Sequence, residues 1–144
     1  MWIAERFKHM PFRKTGCIMD KKVAVGIDVV EFDDMNRLIH LENGLTKFFT
    51  VNEIALAEDC NSKMKLRSLA GRFAVKEAAS KALGTGFTDK VKALDIATQK
   101  ALSGKPTLHL YGYAKAVFET LEYSSADVSI SYSRNTATAI VIFT

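Results

Sequence analysis

The chain has 144 residues, of which 48% are hydrophobic and 25% charged, the proportions of one globular domain rather than of a disordered chain. Its two cysteines are too few for a disulfide framework and are expected to be free thiols in a reducing cytoplasm, while no apolar run reaches the roughly 20 residues of a membrane helix. The net charge of +4 lies within residues 1–22, so the neutral remainder does not predict a nucleic-acid surface.

Residues 1–20 are predicted to form a flexible basic leader ahead of a single domain over residues 21–144. The leader shows no clear periodicity, and its polar residues leave no apolar stretch of the kind that a secretory signal needs. The alternatives for it are a flexible arm, an organellar targeting segment, or a start of translation at Met19.

Local signals predict the elements of the domain in chain order. Val and Ile enrichment over residues 22–31 (KVAVGIDVVE) indicates a strand, and a short helix is expected over residues 33–42, before Asn43-Gly44. The sequence Thr50-Val-Asn-Glu53 is a capping box that predicts a helix over residues 51–59. The longest helical pattern covers residues 66–83, where Gly84 stops it.

The second half of the chain is predicted to be rich in strands. The expected elements are a strand over residues 91–99, a turn at 103–106, a strand over 107–111, a helix over 113–121, and a hairpin of strands 128–132 and 136–143. This order predicts an α+β domain with an antiparallel sheet.

Asp28 is unexpected in an otherwise apolar strand. Side chains alternate between the faces of a strand, so Asp28 shares one face with Ala24, Gly26 and Val30. An unpaired buried carboxylate is costly, and Gly26 would let another group approach the backbone closely. Asp28 is therefore either a structural residue at a strand end, paired with a Lys or capping a turn, or a functional carboxylate.

Glu77 is the second unexpected carboxylate. It continues an apolar stripe of the long helix formed by Leu66, Ala70 and Phe73, at spacings i, i+4, i+7 and i+11. Lys81 lies one turn further on, in the favourable order for a helical ion pair. The plain alternative is a surface ion pair worth a few tenths of a kcal/mol.

The same helix carries cations on a neighbouring stripe. Arg72 and Lys76 are four residues apart and repel each other unless an anion lies between them. The loop Gly84-Thr85-Gly86 either lets backbone N–H groups approach phosphate oxygens or is only a helix stop. Two carboxylates suit Mg²⁺, and nearby cations would neutralise a diphosphate, so the pattern predicts a magnesium-dependent enzyme acting on a phosphate-rich substrate.

Two segments carry a family resemblance. Residues 26–31 (GIDVVE) and residues 72–86 (RFAVKEAASKALGTG) resemble, in order and spacing, the motifs of the phosphopantetheinyl transferases of the holo-acyl-carrier-protein synthase type. Residues 104–106 (GKP) and 128–133 (VSISYS) are similar to that family's later turn and strand. The resemblance covers roughly residues 22–144 and implies the phosphopantetheinyl transferase fold, with active sites at the interfaces of a homotrimer.

The resemblance also implies the reaction. Members of the family transfer 4′-phosphopantetheine from coenzyme A to a serine of an acyl carrier protein and release adenosine 3′,5′-bisphosphate, with Mg²⁺ as cofactor. The implied setting is fatty acid biosynthesis in the cytoplasm, with the acyl carrier protein and coenzyme A as partners and neither nucleic acid nor membrane involved.

Carried over position by position, the resemblance implies roles for ten residues. Asp28 and Glu77 would ligate the metal, and Lys81 would contact the coenzyme A phosphates and protonate the leaving group. The other candidates are Lys76, Gly84 and Gly86 near the diphosphate, and Arg72, Lys105, Pro106 and Tyr132 near the nucleotide. The base that activates the carrier serine would be Glu77 itself or a metal-bound water.

Two positions depart from the family pattern. Tyr132 stands where the family usually has His, so altered nucleotide contacts are expected. The predicted docking helix, residues 33–42, has only Arg37 and His40 as cations where the family is Arg-rich, so weaker steering of an acidic carrier is expected unless the leader supplies charge. The rival functions are a different Mg²⁺-dependent transferase and a catalytically silent carrier- or nucleotide-binding relative.

Overall fold

The computed structural model describes residues 22–144, so the predicted leader lies outside the described residues. The elements in chain order are β1 (Ala24–Glu31), α1 (Phe32–Ile39), α2 (Gly44–Phe48), α3 (Val51–Glu58), α4 (Ser62–Ala82), β2 (Ile96–Lys100), β3 (Pro106–Leu110), α5 (Gly112–Thr120), β4 (Ala126–Tyr132) and β5 (Thr136–Phe143). One antiparallel sheet has the order β1-β5-β4, and a second consists of β2 and β3. The predicted α+β class with antiparallel sheets is confirmed.

Helix α4 is the element against which the three-stranded sheet packs. Its N-terminus is capped by Asn61, whose Oδ1 accepts a hydrogen bond of 3.0 Å from the Met64 amide, so the helix starts four residues before the predicted position. Its core side is rich in alanine, which keeps the helix close to the sheet. The fully buried alanines of this side are Ala70, Ala74, Ala78 and Ala79.

Gly26 allows the closest approach between sheet and helix. A Cβ built at Gly26 would overlap the Ala78 carbonyl oxygen and lie 2.9 Å from the Ala82 amide nitrogen. The group that approaches this backbone is therefore helix α4, and the contact sets where along the helix β1 crosses it.

The alternation predicted for β1 is confirmed. Gly26 and Val30 are buried toward α4, whereas Val25, Ile27 and Val29 are each 57% exposed on the opposite face. Strand β5 adds the partly exposed Ile140, which pairs with Ile27 in the register of the two strands. The outer face of the sheet thus carries an apolar stripe, defined here as Val23, Val25, Ile27 and Val29, that is exposed within residues 22–144.

The structure differs from the prediction at the start of β2 and in the presence of helix α2. The strand expected from residue 91 begins only at Ile96, because residues 93–95 form a short 3₁₀ turn in which Asp95 accepts the Lys92 amide. The five-residue helix α2 has too few residues to show a periodic pattern and was not predicted. The capping box of α3 is confirmed by reciprocal hydrogen bonds between Thr50 and Glu53. No helix in the described part of the chain is long and apolar enough to cross a membrane.

Candidate active site

The two unexpected carboxylates lie on neighbouring elements, Asp28 on β1 and Glu77 on α4. The Lys81 Nζ atom donates to Asp28 Oδ1 at 2.6 Å and to the Ile27 carbonyl oxygen at 3.3 Å. The Asp28 side chain is 16% exposed and that of Lys81 51% exposed, so the pair lies at the protein surface. Helix α4 thus presents Glu77 and, one turn later, the partner of Asp28.

Glu77 and Asp28 influence each other electrostatically. The pKa of Glu77 is raised, first by burial and then by the negative charge of Asp28, while Lys81 acts in the opposite direction. Two carboxylates that repel each other across a partly buried gap form a site that a divalent cation would stabilise. No group of three or more His, Cys, Asp or Glu suited to a metal occurs within residues 22–144. A pair of carboxylates fits Mg²⁺, which usually keeps several waters and takes oxygens from substrate phosphates.

The loop Gly84-Thr85-Gly86 serves mainly to end helix α4. Gly84 and Gly86 adopt positive φ angles of 75° and 61°, a region that favours glycine. The Gly84 amide donates to the Lys81 carbonyl at 2.9 Å, and the Thr85 and Gly86 amides donate to the Ser80 carbonyl. The expected role of these N–H groups in phosphate binding is therefore not supported, although open space beside both glycines leaves room for a ligand.

Lys76 is not available to a phosphate, which corrects its predicted role. Its side chain is fully buried, and Nζ donates to Glu53 Oε2 at 2.8 Å, to the Ala93 carbonyl at 3.0 Å and to the Ile96 carbonyl. An ammonium has three protons, and all three are used inside the chain. Burial lowers the pKa of Lys76, and the charge of Glu53 opposes that shift.

Glu53 is the anion that the spacing of Arg72 and Lys76 required. Glu53 belongs to α3, where its place in the capping box is already a sufficient structural role. A second role was therefore not predicted for it. Its Oε1 also accepts the Thr98 amide at 2.9 Å, so one buried carboxylate joins α3, α4 and β2. The sequence did contain a signal for this role of Glu53. An acidic residue at a helix position expected to be buried could have been matched with the two cations Arg72 and Lys76, which had no predicted anion.

Arg72 and Tyr132 lie at a cavity of about 450 Å³ between α3, α4, the β2–β3 hairpin and β4. Arg72 is 9% exposed and donates to the Thr98 carbonyl and to Ser68 Oγ, so its guanidinium is largely held by the chain. Pro106, which the resemblance places near the nucleotide, lines this cavity. Lys105 does not line it, because its Nζ pairs with Asp127 at 3.2 Å.

The cavity also contains two cations that no sequence motif indicates. Arg67 and Lys100 line it, and with Arg72 they are its only charged lining residues within the described chain. Polar residues, Ser68, Thr98 and Gln99, form part of the remaining wall. The apolar part consists of Leu56, Met64, Pro106 and Ile130. A cavity with an apolar wall and cationic groups suits a ligand that joins a flat base to phosphates.

The cavity and the carboxylate pair lie on different sides of the molecule. Asp28 belongs to β1, one edge of the three-stranded sheet, and Tyr132 belongs to β4, the other edge. Arg72 and Glu77 are five residues apart, which places them roughly 140° apart around the axis of α4. Within one chain the two features therefore do not form a single cleft.

The predicted docking helix coincides with α1. Arg37 is exposed and pairs with Asp34 on the same helix, while His40 Nδ1 contacts the Asn36 carbonyl at 2.7 Å. The one arginine of α1 is thus partly neutralised, in agreement with the weak positive charge of this segment.

Comparisons with known proteins point to one family. Residues 24–140 match the model of the 4′-phosphopantetheinyl transferase superfamily. The chain is 38% identical over 119 residues to the holo-[acyl-carrier-protein] synthase of Alkaliphilus oremlandii, an alignment that covers 82% of this chain and 95% of the relative. It is 41% identical over 122 residues to that of Solidesulfovibrio magneticus, with 82% and 94% covered.

Solved structures agree. The Helicobacter pylori holo-[acyl-carrier-protein] synthase in complex with coenzyme A superimposes with a TM-score of 0.72 at 31% identity, covering 83% of this chain and 99% of that one. The Bacillus anthracis enzyme in complex with CoA (3′,5′-ADP) gives 0.71 at 32% identity, covering 83% and 94%. The chain therefore belongs to the 4′-phosphopantetheinyl transferase superfamily, among the holo-[acyl-carrier-protein] synthases.

Proposed function

We propose that this protein transfers 4′-phosphopantetheine from coenzyme A to a serine of an apo acyl carrier protein, yielding the holo carrier and adenosine 3′,5′-bisphosphate. The observation that carries the proposal is the arrangement of Asp28, Glu77 and Lys81 on β1 and α4, in a chain that matches the transferase family from residue 24 to 140. Phosphoryl transfer at a diphosphate depends on positioning and on stabilising negative charge, and two carboxylates that can hold a metal, together with one lysine, suit that task.

Asp28 and Glu77 would hold Mg²⁺. The ion would supply positive charge next to the diphosphate of coenzyme A, where negative charge develops during transfer. The fit rests on the raised pKa of Glu77 beside Asp28, since the unfavourable proximity of two carboxylates is relieved by a divalent cation.

Side chains of this protein are suited to accept the proton of the carrier serine and to donate a proton to the leaving oxygen. The carrier serine oxygen forms a bond to the phosphorus on the pantetheine side, and the bond from that phosphorus to the bridging oxygen breaks. A carboxylate of raised pKa is a better base than an ordinary one, so Glu77 is suited to accept the serine proton. The Lys81 ammonium, half exposed and one turn away, is placed to donate to the departing oxygen.

The cavity is suited to the nucleotide end of coenzyme A, with Pro106, Tyr132 and Arg72 in its wall. Because cavity and carboxylate pair occupy opposite edges of the sheet, one coenzyme A molecule would bridge the cavity of one subunit and the carboxylates of the next. A ring of subunits satisfies this arrangement at every interface. The apolar stripe of β1, exposed as far as the described residues go, supplies a surface for such contacts, and a homotrimer is the assembly that we propose.

The carrier would dock beside α1, near Arg37. The acidic first turn of α1 and the Arg37–Asp34 pair leave little positive charge there, so we expect carrier binding to depend on shape and apolar contact more than on long-range attraction. The proposed setting is fatty acid biosynthesis in the cytoplasm.

Two assays separate this function from its rivals. Calorimetry with coenzyme A in the presence of Mg²⁺ should show binding, which a transferase for another phosphate substrate would lack. Incubation with coenzyme A and a panel of apo carriers should then add phosphopantetheine to at least one carrier and release adenosine 3′,5′-bisphosphate. Binding of coenzyme A with no modification of any carrier would favour the silent relative.

A further inference from the structure

Tyr132 is held in a fixed position by the absence of a side chain at Gly71. A Cβ built at Gly71 would overlap the Tyr132 hydroxyl oxygen and lie 2.9 Å from Cζ and 3.1 Å from Cε1. The phenol ring at the end of β4 therefore fills the space that any other residue at position 71 of α4 would occupy. Glycine lowers helix stability by about 1 kcal/mol relative to alanine, so its presence within α4 calls for such a reason.

Arg67 lies on the other side of this ring, one turn before Gly71. Its guanidinium carbon is 4.2 Å from the centroid of the Tyr132 ring, a cation–π geometry. The stack holds a half-buried arginine at the wall of the cavity, where its rotamers would otherwise be free. Gly71, Tyr132 and Arg67 thus form one packed unit between α4 and β4.

As far as the described residues show, Arg67 is also the guanidinium of the cavity that keeps its hydrogen-bonding capacity. Arg72 is committed to the Thr98 carbonyl and Ser68 Oγ. Within residues 22–144, no carboxylate lies at ion-pair distance from Arg67. A guanidinium remains charged at all relevant pH values and presents a planar fork that matches phosphate oxygens.

We propose that Arg67, stacked on Tyr132 and seated by Gly71, is a nucleotide-binding residue that recognises a phosphate on the nucleotide end of coenzyme A. The inference rests on the proposed function and adds a residue to it. Tyr132 supplies the platform and Arg67 supplies the charge, so the two residues act as a unit. The pair makes up for the cation that a tyrosine at position 132 lacks.

The direct test is calorimetry with adenosine 3′,5′-bisphosphate together with steady-state kinetics for coenzyme A. Arg67→Gln should weaken nucleotide binding and raise the KM for coenzyme A about tenfold while kcat stays within about twofold, because the lost contact is remote from the carboxylate pair. Lys115→Gln, an equal change of charge on α5, should change neither. Arg67→Lys, which keeps the charge but not the planar fork, should fall between wild type and Arg67→Gln.

A double-mutant cycle tests whether the two residues act together. Tyr132→Leu should weaken nucleotide binding about as much as Arg67→Gln, and the double variant should be little worse than either single variant. Additive losses, or an Arg67→Gln variant with wild-type KM in an active enzyme, would overturn the inference. If nucleotide binding shows the predicted dependence but no carrier is modified, the proposed function fails and the inference stands.

Discussion

The Lys81 ammonium lies 2.6 Å from the Asp28 carboxylate, so the lysine already neutralises one half of the carboxylate pair. Glu77, one turn before Lys81, is left with a raised pKa because Lys81 only partly offsets burial and the charge of Asp28. This relationship makes Lys81 the partner of one proposed metal ligand, Asp28, and the residue that we propose as proton donor to the leaving oxygen.

Lys81→Gln should therefore impair turnover much more than folding. We expect kcat to fall about 100-fold, the size of effect seen when a charge-stabilising group is removed from an active site. The melting temperature should change little, because a pair in which the lysine is 51% exposed contributes at most about 1 kcal/mol. Lys115→Gln on α5 is the matched control. Near-normal turnover of Lys81→Gln would remove the lysine from the mechanism.

The raised pKa of Glu77 predicts a pH-dependent effect of Glu77→Gln on stability in the presence of a chelator. A carboxyl whose pKa is raised by folding binds its proton more tightly in the folded state, so its ionisation lowers the free energy of unfolding as pH rises above 4.5, the ordinary pKa of a glutamate side chain. Glutamine cannot ionise. The variant should be more stable than wild type near pH 8, and the difference should disappear near pH 4, as chemical denaturation can measure. A difference that is constant across this range would contradict the assignment.

The buried Lys76–Glu53 pair predicts a structural rather than a catalytic phenotype for Lys76. Lys76→Met leaves Glu53 buried without its cation and should lower the free energy of unfolding by about 3–5 kcal/mol. Lys65→Met on the same helix breaks only a long surface pair and should cost less than about 1 kcal/mol. The double variant Glu53→Gln with Lys76→Met should recover part of the loss in urea denaturation. A fully stable but inactive Lys76→Met would restore the phosphate-binding role.

A site shared between subunits predicts complementation. Asp28→Ala removes a carboxylate, and Ser68→Trp places a bulky ring in the cavity, so each variant alone should be inactive. When the two chains are co-expressed and trimers that contain both are purified, one of the three interfaces in each trimer has both intact halves, so about a third of the wild-type activity should return. Mixed oligomers that form but stay inactive would show that each chain uses its own cavity and carboxylates.

Features set by local sequence could be predicted, and those set by distant contacts could not. The capping box of α3 and the strand–helix pattern around Asp28 and Glu77 depend on spacings of a few residues, and the structure agrees with them. Lys76 was misassigned because its partner Glu53 lies 23 residues away on another helix. From sequence alone, two neighbouring cations that bind a ligand anion cannot be distinguished from two cations that pair with a distant side chain of the same protein.

Only some of the residues that line the cavity could be predicted, because the others come together through contacts between distant parts of the sequence. Pro106 and Tyr132 stood out through the family motifs, but Arg67 has no motif, and only the packing of α4 against β4 places it over the Tyr132 ring. The close approach at Gly26 was anticipated without its partner, since a missing side chain does not show what fills the space. The start of β2 was placed too early because a 3₁₀ turn precedes it within the same apolar run.

The most direct measurement of the central claim is the intact mass of an apo acyl carrier protein after incubation with coenzyme A, Mg²⁺ and this protein. Wild type should convert the carrier to a species heavier by one phosphopantetheine group. Asp28→Ala and Glu77→Ala, folded as judged by circular dichroism, should convert it at less than about 1% of the wild-type rate. No mass gain with wild type across a panel of carriers, or near-normal conversion by either variant, would contradict the account.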